Sequence, residues 1–269
     1  MIIRIVVLII FICSVLTIAV GKKQIRKAVV KIDRTLFDNN LRHMFGYIAG
    51  ETWDKIASID NRLQFNSDFI LVGHGAGFRG EELENTYKAA DISRGVGLKV
   101  FEIDLVLNNN VLFCAHDAPT SLTKPCDLRK YLRGGVDDQR LILDIKTDFG
   151  DMLDYLSEKE QFKSILPNLI VQIYLPHQFE IFEKVSNLFG GYLVSVYKSK
   201  RPLAHVCMNL EKVGIRNIVI NTEQIIEANK VCANSVFFIH PLKSCSKLKM
   251  YKNERNIKGA FVSGNAISC

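Results

Sequence analysis

Eight short apolar, β-branched segments recur along this chain, at 69–74, 99–105, 140–146, 168–174, 191–197, 216–221, 235–240 and 258–262, and helix-like text separates most of them. Strands that alternate with helices point to parallel βαβ units. Eight units over roughly 200 residues predict an α/β fold, a (β/α)₈ TIM barrel at the short end of its size range. A doubly wound open sheet competes with this, but it would need a glycine-rich phosphate loop after the first strand and a ribose-binding acid downstream. The GHGAGFRG of 73–80 is not followed by that acid. No internal repeat, low-complexity tract or long proline-rich linker suggests a second globular domain.

Barrels of this kind carry their chemistry at the C-terminal ends of the strands. His74 ends the first segment, and a glycine-rich turn, a helix opening at Glu84 and a second strand follow it. Glu102 and Asp104 are two apart on that strand, so both carboxylates face one space, where they repel unless something positive sits between them. Oxygen ligands converging on one point suit a hard cation, Ca²⁺ or Mg²⁺, and the absence of Cys or His at ligand spacing argues against zinc. A hairpin then closes on His116 and Asp117. Asp144 and Lys146 repeat the two-residue spacing on the third barrel strand, Gln172 and Tyr174 repeat it on the fourth, and His240 follows the VFFI of 236–239.

Taken in order, His74-Gly75, Glu84-Asn85-Thr86, Glu102-Ile103-Asp104 and His116-Asp117 resemble the fingerprint of the glycerophosphodiester phosphodiesterase family. Gly75 stands where that family usually has an arginine, which leaves one phosphate-binding charge unassigned. The HGAG of 74–77 looks more like a bacterial branch related to phosphatidylinositol phospholipase C enzymes. LILDIK matches the family's Glu-x-Lys with Asp144 for Glu, and LIVQIY followed by Pro176 resembles a Pro-Gln-x-Tyr segment of the same branch. The resemblance implies His74 and His116 as the acid and base, a metal on Glu102, Asp104 and Asp144, and Lys146 on a phosphate oxygen. It implies Asn85, Gln172, Tyr174 and His240 as substrate-binding or supporting groups. The expected activity is metal-dependent hydrolysis of a glycerophosphodiester or related lipid headgroup. Two alternatives stand beside it: a phospholipase C-like lyase that forms a cyclic phosphate, and a non-catalytic barrel that binds a headgroup or glycan.

The net charge of +7 is concentrated near the N-terminus, because seven basic residues lie within 1–34 against Asp33 alone. They flank an uncharged run, Ile5–Gly21, which is close to the length a spanning helix needs, so residues 1–27 read as a transmembrane anchor or a secretory signal. Basic residues there would meet anionic headgroups, and nothing in the chain reads nucleic acid. Residues 28–65 read as a helical lead-in and 66–269 as the barrel. The positive-inside rule alone would put the barrel in the cytoplasm. Six cysteines outside the apolar run permit disulfides in an oxidising compartment. With the resemblance, they lead to the expectation of a single-pass, membrane-anchored chain whose barrel is extracytoplasmic, or of a secreted one if the segment is cleaved.

Overall fold

The structure is a computed structural model that describes residues 69–132, 139–197 and 202–269, together with Leu63 and Ser199. The apolar N-terminal run and, Leu63 aside, the lead-in expected over 28–65 lie outside the described residues. Among the described residues no helix is long and apolar enough to cross a membrane.

The strands are β1 (Ile70–Gly73), β2 (Val100–Asn108), β3 (Val111–Cys114), β4 (Arg140–Ile145), β5 (Leu169–Ile173), β6 (Gly191–Ser195), β7 (Asn217–Ile220), β8 (Val236–Leu242) and β9 (Ile257–Val262). All are parallel neighbours except β3, which runs back along β2 as a hairpin arm. β1 pairs with β9 on one side and with β2 on the other, so the eight parallel strands close into a TIM barrel. The helices are α1 (Tyr87–Gly95), α2 (Phe149–Glu158), α3 (Glu160–Lys163), α4 (Pro176–Glu183), α5 (Leu203–Lys212), α6 (Ile225–Val231) and α7 (Cys245–Tyr251).

Period-two alternation sorts the strand residues into two apolar bodies. Val72, Val100, Ile142, Ile170, Leu193, Val219, Phe238 and Phe261, one from each parallel strand, form a cluster with Ile70 that fills the barrel interior. The alternate residues pack with the helices in the outer cluster. Burying each such side chain contributes about 1.5–3 kcal/mol, and Phe238→Ala would cost about 3–5 kcal/mol through the cavity it leaves in the inner layer. Two residues beyond this layer the same parity yields His74, Glu102, Asp144, Gln172, Ser195 and His240, all buried. The apolar plug is therefore the floor on which a ring of polar side chains stands.

Two local features differ from the sequence expectation or sharpen it. The first helix opens at Tyr87 rather than at Glu84, because Asn85 takes a left-handed conformation (φ 56°) that no helix accommodates. Thr86 then caps α1 by accepting the Ala89 N–H. The β2–β3 hairpin turns on Asn109 and Asn110, both at positive φ, which is the chemistry a two-residue turn demands. Disulfides join Cys114 to Cys126, Cys207 to Cys232 and Cys245 to Cys269, using all six cysteines outside the apolar run.

Candidate active site

A cavity at the C-terminal ends of the strands is lined by His74, Arg79, Asp104, His116, Asp144, Lys146, Tyr197 and His240. Its acidic centre follows from strand register. β2 and β4 pair Asp104 directly with Asp144, and Glu102 precedes Asp104 by two on the same face. Like charges opposite each other destabilise a sheet, so this register is tolerable only with positive charge between them. Lys146 supplies part of it, with Nζ 2.8 Å from Asp104 Oδ1 and 2.5 Å from Asp144 Oδ2.

Glu102 lies deepest, 1% exposed, and accepts the Gly75 N–H at Oε2 (2.8 Å). Burial, and then the charges of Asp104 and Asp144, hold its carboxyl well above the usual range. Burial would also raise Asp104, but Lys146, Asn85 and Arg79 together outweigh it and hold that carboxyl low. For Lys146, burial opposes the charged form, and the two aspartates more than restore it, so its pKa is raised. One oxygen from each of Glu102, Asp104 and Asp144 lies within 4.8 Å of the others. Ligand distances of about 2.3–2.6 Å to a common centre require separations of that order, so the three residues fit a Ca²⁺-like ion, and the all-oxygen set suits a hard cation.

The loop after β1 gives the cavity its upper wall. Gly75, Ala76 and Gly77 have φ of 57°, 61° and 99° in succession, which turns the chain back so that the Arg79 N–H reaches the His74 carbonyl (3.1 Å). A Cβ on Gly77 would stand 2.2 Å from Ser93 Oγ, so this turn needs glycine there. At position 75 a Cβ would press on the Glu84 side chain at 3.0 Å from a left-handed backbone, which accounts for glycine where the resembled family usually has an arginine. The positive charge comes instead from Arg79, whose Nη1 lies 2.9 Å from Asp104 Oδ2 and also pairs with Glu84.

Asn85 does not line the cavity. It is buried and gives both ends of its carboxamide to Asp104, donating to Oδ2 (2.9 Å) and accepting the backbone N–H (3.1 Å), while Tyr131 holds its carbonyl (2.5 Å). Gln172, although it faces inward above Ile170, does not line the cavity either and donates to Ser195 Oγ at 2.6 Å. Tyr174 donates its hydroxyl to Asp144 Oδ2 (2.8 Å) and meets the Tyr197 hydroxyl at 3.1 Å. Burial raises the pKa of both phenols, Tyr174 well above its ordinary value, so they stay neutral. Glu84 is neither a helix residue nor part of the carboxylate cluster, since it accepts the Gly80 N–H and pairs with Arg79.

His74 and His240 meet through their Nε2 atoms at 3.1 Å, so one ring donates and the other accepts. His240 also stacks on Tyr197, centroids 4.5 Å apart. His116 sits at the exposed rim with Nδ1 3.0 Å from Asp117 Oδ1, on a loop closed at its base by the Cys114–Cys126 disulfide. Arg79 and Tyr197 are the cavity residues absent from the sequence expectation. Tyr197 shares the parity of Leu193 and Ser195, which places it at the inward mouth of the fifth barrel strand, whereas nothing in the spacing signals Arg79.

No family model and no curated protein matches the chain. Solved structures match its fold. A glycerophosphodiester phosphodiesterase from Thermotoga maritima superposes with a TM-score of 0.56 at 15% identity, over 76% of this chain and 97% of that one. A putative glycerophosphoryl diester phosphodiesterase from Silicibacter pomeroyi gives 0.54 at 11%, over 80% and 96%. The fold is that of the glycerophosphodiester phosphodiesterases. An Oleispira antarctica phosphodiesterase solved with the product sn-glycerol-3-phosphate matches at 0.51 and 15%, over 71% and 92%. At these identities the likeness is one of fold alone. In this chain's cavity three imidazoles, two aspartates, a lysine and an arginine converge, with Glu102 within 4.8 Å of both aspartates.

Proposed function

We propose that the protein is a phosphodiesterase that holds a divalent cation, Ca²⁺ or Mg²⁺, on Glu102, Asp104 and Asp144 and hydrolyses a phosphodiester with a glycerol-like alcohol. The observation that carries this reading is the convergence of Asp104 and Asp144 with His74, His116 and Lys146 on one cavity, with Glu102 within 4.8 Å of both aspartates, in a barrel with the phosphodiesterase fold. The cation would supply charge to a non-bridging phosphate oxygen. The chain's own groups supply the rest. Lys146 reaches a second phosphate oxygen, and the imidazoles divide the proton transfers. Asp117 favours the His116 tautomer with its proton on Nδ1, which leaves a lone pair at Nε2 to take the proton of the attacking water. His74, in the cavity floor, then protonates the leaving alkoxide and recovers its proton through His240. The product of the Oleispira enzyme supports a small phosphodiester as substrate.

The three disulfides support an oxidising compartment, and the apolar run with its basic flank supports a tether to an anionic membrane. Turnover of bis(p-nitrophenyl) phosphate and of a glycerophosphodiester, with and without chelator, tests the activity. Chelator-sensitive hydrolysis restored by Ca²⁺ or Mg²⁺ is expected, with no cyclic phosphate in the phosphorus NMR spectrum. Absence of turnover with either ion would overturn the reading in favour of a headgroup-binding barrel.

A further inference from the structure

Both oxygens of Asp104 are already taken by cationic side chains, Oδ1 by Lys146 at 2.8 Å and Oδ2 by Arg79 at 2.9 Å. Lys146 also holds Asp144 Oδ2. Two of the three carboxylates able to ligate a cation are therefore tied to residues that line the cavity from above. These are the same two side chains whose charge a phosphate entering the cavity would need.

Resting on the hydrolytic reading of this cavity, we propose that Arg79 and Lys146 are built-in counter-ions of the carboxylate cluster. They turn to the substrate phosphate only when a divalent cation takes their place on Asp104 and Asp144, so that the cation must bind first. The exchange is neutral at the carboxylates, because two single charges leave and one double charge arrives. Its effect is felt in the cavity. Before it, an incoming phosphate faces two cations whose charge is spent on aspartates; after it, the same guanidinium and ammonium are available for charge-assisted hydrogen bonds. The side chains have room to move, being 25% and 18% exposed against 2% for Asp104. Arg79 has a pivot as well: its second partner, Glu84, lies outside the cluster and is fixed by the Gly80 N–H at 2.9 Å, so the arginine can leave Asp104 without losing every carboxylate.

Titration calorimetry of the full chain with inorganic phosphate, in EDTA and in Mg²⁺, provides the test. Wild type is expected to bind phosphate only with Mg²⁺, which a phosphate held by the ion alone would also predict. Asp104→Asn separates the two. It removes the cluster charge that restrains Arg79 while Lys146 stays on Asp144, so phosphate should bind in EDTA at least about tenfold more tightly than to wild type in EDTA, and adding Arg79→Gln should erase the gain. Asp144→Asn, which removes one of the two carboxylates that hold Lys146, repeats the experiment should Asp104→Asn melt at markedly lower temperature. If neither variant gains cation-free phosphate binding, or if the gain survives Arg79→Gln in the Asp104→Asn background, the proposal is overturned. The hydrolytic reading fails by a different result, the absence of chelator-sensitive turnover in wild type, which these binding measurements do not use.

Discussion

Glu102→Gln should stabilise the cation-free protein while destroying its response to cations. The carboxyl is 1% exposed, and its nearest oxygen lies within 4.8 Å of one oxygen on each aspartate. At an effective dielectric of about 20, each such pair repels by about 3–4 kcal/mol if both partners are ionised. Part of this is relieved because Glu102 tends to keep its proton and because Lys146 stands between the aspartates. Glutamine keeps an acceptor for the Gly75 N–H, so a net gain of about 2 kcal/mol is expected, or roughly 4–8 °C in Tm for a barrel of this size.

The pH dependence has a definite sign. A carboxyl whose folded pKa lies above its ordinary 4.5 binds more protons folded than unfolded between those two values. Stability therefore falls as pH rises through that window. Asp104, held below its ordinary 3.8, contributes stability that is lost only as pH falls beneath that value, so the two windows do not overlap. Scanning calorimetry in EDTA from pH 5 upward should show a wild-type Tm that declines with pH more steeply than that of Glu102→Gln. Saturating Ca²⁺ or Mg²⁺ should raise wild type by mass action and leave the variant nearly unmoved. A variant that melts lower than wild type in EDTA, or that keeps the wild-type pH slope, would refute the account of the carboxylate cluster.

His74→Ala and His116→Ala should each lower turnover by at least about 100-fold on an unactivated diester, and steady-state kinetics near wild type for either would exclude the two-imidazole mechanism. Asn85→Ala leaves Asp104 without its clamp and puts alanine at φ 56°, so denaturant unfolding should show a loss of about 2–3 kcal/mol together with weaker cation binding. The paired Cys114→Ser and Cys126→Ser variant should lose more in kcat than its Tm alone predicts, because the twelve-residue separation it opens carries His116. Equal loss of turnover on cutting the Cys207–Cys232 bridge would show that the effect is not local.

Much of the architecture was legible because it depends on repetition. Each strand repeats the same burial on both faces, and each of the eight expected segments overlaps a parallel strand of the barrel. The polar ring was legible for the same reason: Glu102, Asp104, Asp144 and His240 keep the parity of the apolar residues beneath them. What failed depends on backbone conformations that spacing does not encode. Asn85 reads as the second residue of a helix, yet its left-handed φ delays the helix to Tyr87 and turns its carboxamide onto Asp104 instead of into the cavity. Arg79 enters the cavity only because three successive left-handed residues reverse the chain after His74. Gln172 and Tyr174 have the correct parity but find partners in Ser195 and Asp144, so they support the wall without lining it.

The pairing of β1 with β9 has a consequence for how the protein is made. The first barrel strand to leave the ribosome waits for the last, and until Ile257–Val262 is available one edge of the sheet stays open. His74 meets His240 across 166 residues, among the longest-range contacts of the described chain. Contacts so distant in sequence form late and slow folding. A nascent chain already carrying the whole stretch 69–117 therefore has no finished cavity floor, and the site matures only when synthesis of the barrel is nearly over. A chain interrupted before β9 would be left with an unpaired, apolar β1 edge, a template for association with other unfinished chains.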